Sequence, residues 1–87
     1  MAHITMYTTG FCPYCTSAAR LLESKGITEI NKIRIDEDPE LRVAMMGRTG
    51  RRTVPQIYIG ELYIGGFDDL RALDLAGELE QLLVAES

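Results

Sequence analysis

The feature that most restricts the fold of this 87-residue chain is the run Cys12-Pro13-Tyr14-Cys15. The run lies where one hydrophobic spacing gives way to another. Residues 3–8 alternate apolar and polar side chains and favour a short strand, whereas apolar residues between 13 and 25 recur at helical intervals. Pro13 suits the first helical position, because the N–H that proline lacks has no helical partner there. Cys12 is therefore predicted at a helix N-terminus, with Cys15 one turn further in.

The rest of the chain continues to alternate between strands and helices. Residues 30–35 predict a second strand, and Asp38-Pro39-Glu40 is a start signal for a helix that ends between residues 47 and 50. Residues 56–59 and 62–64 predict a β-hairpin with a tight turn between them. The leucines from residue 70 onward return to helical spacing, and Gly77 predicts either two short helices or one kinked helix.

This order of elements, β-α-β-α-β-β-α, predicts an α/β fold. The first three elements form a right-handed parallel unit, and the hairpin adds antiparallel strands to the same sheet. The expected architecture is a four-stranded mixed sheet flanked by helices on both faces. A chain of 87 residues suffices for one domain but not for two, so residues 1–87 are predicted to be a single domain.

Composition excludes several classes of protein. A hydrophobic content of 46% with a net charge of −4 argues against disorder, and the acidic balance argues against a general nucleic-acid binder. No apolar stretch approaches the roughly 18 residues that a membrane span needs, and the N-terminal residues do not resemble a signal peptide. We expect a cytoplasmic protein, in which two cysteines are more often catalytic or metal-binding than a structural staple.

The chemistry of the cysteine pair is predicted to be asymmetric. Thiolates attack disulfides, and a helix N-terminus lowers the pKa of a cysteine from its free value of about 8.5. Cys12 is therefore expected to attack and Cys15 to resolve. The alternatives are half of a zinc site, whose second half is missing because His3 is the only histidine, or two inert buried thiols.

Three segments together resemble the signature of the dithiol glutaredoxins: Cys12-Pro13-Tyr14-Cys15, Thr53-Val54-Pro55-Gln56 and the Gly-Gly-Phe-Asp-Asp-Leu run at 65–70. Their order and spacing match as well, and the pattern is similar to that of short bacterial glutaredoxins of the glutaredoxin 3 type. The resemblance implies a thioredoxin fold and a glutathione-dependent thiol–disulfide oxidoreductase. Such an enzyme reduces protein disulfides and glutathione mixed disulfides through the pair Cys12 and Cys15.

The resemblance also implies the first half of a glutathione site. Tyr14 matches a tyrosine that packs beside glutathione. In the segment Thr53-Val54-Pro55, the bond before Pro55 is expected to be cis, the isomer that only X–Pro bonds adopt at low cost. The backbone of Val54 would then face the cysteines and pair with the cysteine moiety of glutathione as an added strand does.

The second half of the implied site is the run Gly66-Phe67-Asp68-Asp69. Glycine lets the backbone approach a ligand closely, and the N-terminus of the following helix offers N–H groups to a carboxylate. An aspartate there can hold an ammonium, so the segment suits the zwitterionic γ-glutamyl end of glutathione. Either Asp68 or Asp69 fits that role, and either one is also suited to be an ordinary helix cap.

Two departures from the family pattern matter. Many glutaredoxins have a lysine shortly before the first cysteine, where this chain has Thr8-Thr9-Gly10-Phe11. Arg42, or else Arg51 and Arg52, is a candidate to supply the missing cation, although the basic turn at 48–52 also suits a solvated loop. Many relatives also have a cysteine where this chain has Phe67, a change that leaves a backbone contact intact.

Three other functions remain open at this stage: a redoxin coupled to thioredoxin reductase, a [2Fe–2S] cluster carrier and a non-catalytic binding module. The leading prediction has glutathione as reductant and no metal. Its partners are disulfide-bearing or glutathionylated proteins, with no nucleic acid and no membrane, and the protein is expected to be a monomer.

Overall fold

The structure, a computed structural model, describes residues 2–86. Within that range the chain forms four strands and four helices. In chain order they are β1 (Ile4–Thr8), α1 (Pro13–Ser24), β2 (Ile30–Arg34), α2 (Pro39–Thr49), β3 (Gln56–Ile59), β4 (Leu62–Gly65), α3 (Phe67–Leu75) and α4 (Leu79–Ala85). The predicted order is confirmed, and the last segment forms two short helices rather than one kinked helix. No helix within residues 2–86 is long and apolar enough to cross a bilayer.

Local signals set the helix ends. The Asp38 side chain accepts a hydrogen bond of 2.9 Å from the N–H of Glu40, as an N-cap does, and Pro39 begins α2. Gly50 ends α2 with a φ of 73°, in the left-handed region that favours glycine. Gly77 has a φ of 75° between α3 and α4, which explains why the helical pattern breaks there.

The strands form one mixed sheet in the order β2-β1-β3-β4. β1 pairs parallel with β2 and antiparallel with β3, and β3 pairs antiparallel with β4. Although β1 alternates apolar and polar side chains, all five of its residues are buried. β1 is a central strand covered by helices on both sides, so Thr5 and Thr8 are buried as well.

Each face of the sheet has its own apolar cluster. The larger cluster lies beneath α1, α3 and α4 and includes Met6, Leu22 and Leu70. The smaller one lies beneath α2 and includes Tyr58 and Met45. This arrangement confirms the predicted four-stranded sheet flanked by helices on both faces.

Candidate active site

Strand register brings the three signature segments together at one end of the sheet, where β1 and β4 end and β3 begins. Tyr7, near the end of β1, pairs with Gln56 at the start of β3, and Gly65 at the end of β4 pairs with Ile57. The segment after β1, the segment before β3 and the segment after β4 therefore meet. These segments carry the cysteines, the Val54-Pro55 bond and the Gly-Phe-Asp-Asp run.

Cys12 is the N-cap residue of α1, and its Sγ accepts a hydrogen bond of 3.1 Å from the backbone N–H of Cys15. Cys12 and Cys15 form a disulfide, with their Cα atoms 5.1 Å apart. Cys15 is buried, with 5% of its surface exposed, whereas Cys12 is half-buried. The Sγ of Cys12 also lies 3.9 Å from the carbonyl oxygen of Val54. Because the outer sulfur lies at the positive end of a helix, it is well placed to carry negative charge.

The loop before Cys12 is held in place from the end of β2. The N–H of Gly10 donates a hydrogen bond of 3.0 Å to the Asp36 carboxylate, which also pairs with the guanidinium of Arg34 at 2.8 Å. Hydrogen bonds from Arg34 and from the Gly10 N–H hold the pKa of Asp36 well below its usual range. A Cβ on Gly10 would lie 2.6 Å from Nη2 of Arg34, so a larger residue would displace this contact.

A groove of about 320 Å³ opens beside the cysteines on the β3 and α3 side. Eight of the nine residues predicted to contact glutathione line it, together with one arginine: Tyr14, Arg51, Thr53, Val54, Pro55, Gly66, Phe67, Asp68 and Asp69. The Val54–Pro55 bond is cis, as the family resemblance implied. The rings of Tyr14 and Phe67 lie 6.3 Å apart and give the groove an apolar wall. The groove thus combines apolar, backbone and charged surfaces, as small-ligand sites do.

The two neighbouring aspartates of this groove have different surroundings. Oδ2 of Asp69 accepts a hydrogen bond of 2.9 Å from the N–H of Gly66 and lies 3.2 Å from Nη1 of Arg51. Asp69 therefore caps the N-terminus of α3. Asp68 is exposed on the groove and faces solvent. Both carboxylates line the groove, and Asp68 is the more exposed of the two.

Of the three arginines that the sequence offered as the missing cation, Arg51 is the one that lines the groove. Arg42 is absent from the lining residues, and its Nη1 donates instead to the backbone carbonyl of Arg52 at 3.2 Å. Arg51, from the basic turn, lines the groove and pairs with Asp69. Arg42 and Arg51 were alternatives in the sequence, and only the path of the loop after α2 separates them. Among residues 2–86, no three His, Cys, Asp or Glu side chains cluster as metal ligands do.

Comparison with known proteins is consistent with this geometry. Residues 4–64 match the glutaredoxin family model. The chain is 51% identical over 83 residues to a glutaredoxin of Neisseria meningitidis serogroup A, covering 95% of this chain and 98% of the relative. It is 48% identical to glutaredoxin 3 of Escherichia coli K12, covering 95% of this chain and 99% of that protein. Its fold is similar to a crystal structure of a buckwheat glutaredoxin–glutathione complex, with a TM-score of 0.87 and 26% identity over 97% of this chain and 78% of the other.

Proposed function

The chain belongs to the glutaredoxin family and is a thiol–disulfide oxidoreductase, and we propose that it binds glutathione in the groove beside Cys12. Cys12 is the attacking residue in this proposal and Cys15 the resolving one. The observation that carries it is the position of the Cys12 sulfur, at the N-terminus of α1 and next to the carbonyl of Val54 on the groove wall. We also propose that the protein works as a monomer in the cytoplasm, where the glutathione pool is reducing.

The difference in exposure between the two sulfurs supports the assignment of their roles. In the reduced enzyme, the thiolate of Cys12 attacks a substrate disulfide, and one substrate sulfur leaves as a thiolate that takes a proton from water. The buried thiol of Cys15 then loses its proton and attacks the Cys12 sulfur. The second substrate thiolate leaves, and the Cys12–Cys15 disulfide remains, which is the oxidised form described here.

Glutathione returns the enzyme to the dithiol state. One glutathione thiolate attacks the Cys12 sulfur and frees Cys15 as a thiol. A second glutathione thiolate attacks the sulfur of the bound glutathione, so that glutathione disulfide leaves and Cys12 is a thiolate again. A glutathionylated protein needs only half of this route, because Cys12 attacks the glutathione sulfur and the protein thiol leaves at once.

The groove supplies complementary contacts for the tripeptide. The backbone of Val54 is placed to pair with the central cysteine moiety, and the rings of Tyr14 and Phe67 are placed to cover its apolar side. The N-terminus of α3 offers N–H groups to the γ-glutamyl carboxylate, and Asp68 offers a carboxylate to the ammonium. Arg51 is the groove cation suited to the glycyl carboxylate, a role that no lysine before Cys12 can fill in this chain.

The test is a glutathione-coupled assay on the wild type and on two isosteric variants. We expect Cys12→Ser to lose activity on every substrate. We expect Cys15→Ser to keep turnover of a glutathione mixed disulfide and to lose reduction of a protein disulfide, because only the second reaction needs a resolving thiol. Cys15→Ser is the matched control, since it changes the same atom one turn away. Activity remaining in Cys12→Ser, or a wild type that ignores glutathione, would refute the proposal.

A further inference from the structure

A second recess, of about 200 Å³, opens beside the cysteines on the β2 side of the molecule. Cys12 and Cys15 both line this recess. None of the residues that line it also lines the groove proposed for glutathione. Because the strand order is β2-β1-β3-β4, the two openings lie on opposite sides of the N-terminus of α1. A substrate bonded to Cys12 therefore has a second surface next to it.

Two cations line this recess, and the strand register explains their position. Lys32 pairs with Met6 and Arg34 pairs with Thr8 across β1 and β2, so both side chains lie on the sheet face that carries α1. Met6 is fully buried on that face. β2 is the edge strand, and both cations remain exposed beyond the edge of the core.

The two cations differ in how far their charge is neutralised. Arg34 forms ion pairs with Asp36 at 2.8 Å and with Glu37 at 3.7 Å. Lys32 forms no ion pair with any residue between 2 and 86 that the structure describes. Lys32 therefore presents an exposed positive charge, held in no ion pair, in the recess that Cys12 and Cys15 also line.

An exposed aromatic residue stands next to this recess. Phe11 lies between Gly10 and Cys12, which both line the recess, and 88% of its surface is exposed. Its loop is held by the hydrogen bond from the Gly10 N–H to Asp36 and by a hydrogen bond of 3.2 Å from the Thr9 hydroxyl to the Phe11 carbonyl. The fold thus holds a large apolar side chain in water, and an aromatic anchor beside polar groups is typical of protein interfaces.

We propose that the recess at Lys32, with Phe11 beside it, docks the polypeptide of disulfide substrates and selects those with an acidic side chain near the reacting cysteine. The inference deepens the proposed function and depends on it, because the substrate must first be bonded to Cys12. In an extended peptide each residue spans about 3.3 Å, so side chains one or two positions from that cysteine reach the recess. Glutathione occupies the other groove, so the two sites recognise different parts of the reaction.

The experiment uses a set of disulfide-bridged peptides that differ only in the residue beside the reacting cysteine: Asp, Asn or Lys. We expect kcat/KM of the wild type to fall about threefold from Asp to Asn and again from Asn to Lys at low ionic strength. This preference is expected to weaken in 0.5 M salt, because exposed charges are screened. Lys32→Glu should invert the order, and Lys32→Arg should keep it. Arg20→Glu, an exposed change on α1 with the same effect on net charge, is the matched control and should also keep the order.

Two further measurements separate this inference from its premise. Turnover of the small mixed disulfide of glutathione and 2-mercaptoethanol reports on the proposed function alone, and its absence in the wild type would refute both proposals. Normal turnover of that substrate with no charge preference among the peptides would refute only the docking site. If Lys32→Glu slowed the neutral peptide as much as the acidic one, Lys32 would act on Cys12 itself, and the docking site would again be refuted.

Discussion

Asp68 and Asp69, the two adjacent aspartates of the groove proposed for glutathione, should have different roles: Asp69 stabilises the fold and Asp68 binds the ligand. Asp69 accepts a hydrogen bond from the N–H of Gly66 and pairs with Arg51, so Asp69→Ala removes the cap of α3 and one ion pair. Loss of such a cap costs about 1 kcal/mol. The ion pair adds only about 0.3 kcal/mol, because the side chains of Arg51 and Asp69 are 51% and 44% exposed. The free energy of unfolding should therefore fall by about 1–2 kcal/mol.

For a domain of this size, a loss of 1 kcal/mol lowers Tm by about 4–8 °C. Thermal unfolding followed by circular dichroism should place Asp69→Ala about 5–15 °C below the wild type. Asp69→Asn is expected to lie between them, because its amide oxygen still accepts the hydrogen bond from Gly66. That intermediate value would show that the cap, rather than the charge alone, stabilises the helix.

Asp68→Ala is the matched control, since it also removes one carboxylate, from the neighbouring residue. Asp68 is exposed, so its Tm should stay close to that of the wild type. Its KM for glutathione should rise about tenfold, because a hydrogen bond between charged groups is worth about 1.4 kcal/mol. The reasoning fails if Asp69→Ala melts with the wild type, or if Asp68→Ala binds glutathione normally while Asp69→Asn loses it.

Three other perturbations follow from particular contacts. Gly65→Ala should lower the free energy of unfolding by about 1–3 kcal/mol, because Gly65 has a φ of 116° and an added Cβ would overlap the Asp69 carboxylate. Urea unfolding measures this loss, and an unchanged midpoint would contradict it. Asp36 has a pKa below its unfolded value of about 3.9, so it stabilises the fold above pH 4 and this contribution disappears as the pH falls below that value. Asp36→Asn should therefore be less stable than the wild type at pH 7, and the difference in free energy of unfolding should narrow steadily as the pH falls from 4 towards 2. A difference that stays constant over this range would argue against the assignment. Arg48→Met should cost about 0.5–1 kcal/mol by thermal unfolding, because the guanidinium carbon lies 3.8 Å from the centre of the Tyr58 ring, while Arg48→Lys should recover part of it.

The elements of the chain could be predicted because their signals are local. The Asp38-Pro39 start of α2 and the turn between β3 and β4 each depend on residues within a few positions of one another. The position of Cys12 at the start of α1 could be read in the same way, since Pro13 alone favours that boundary. Burial along β1 could not be predicted, because Thr5 is buried only by the helices that cover a central strand.

The residues that line the groove could likewise be predicted only in part from the sequence. The sequence left Arg42, or else Arg51 and Arg52, as candidates for the missing cation, and the path of the chain after α2 brings Arg51 to the groove. The roles of Asp68 and Asp69 were open in the sequence, because an aspartate at either position could serve as a helix cap or as a ligand contact. The hydrogen bond from Gly66 makes Asp69 the cap of α3, and it depends on the direction in which α3 leaves β4.

The run Cys12-Pro13-Tyr14-Cys15, by itself, determined a redox pair with an outer and an inner sulfur, because helix geometry over four residues requires nothing from the rest of the chain. Only the tertiary structure decided what surrounds those sulfurs. The carbonyl of Val54, 42 positions along the chain, and the ammonium of Lys32 reach the site through strand pairing. Register between strands is set by packing of the whole sheet, and no local pattern specifies it.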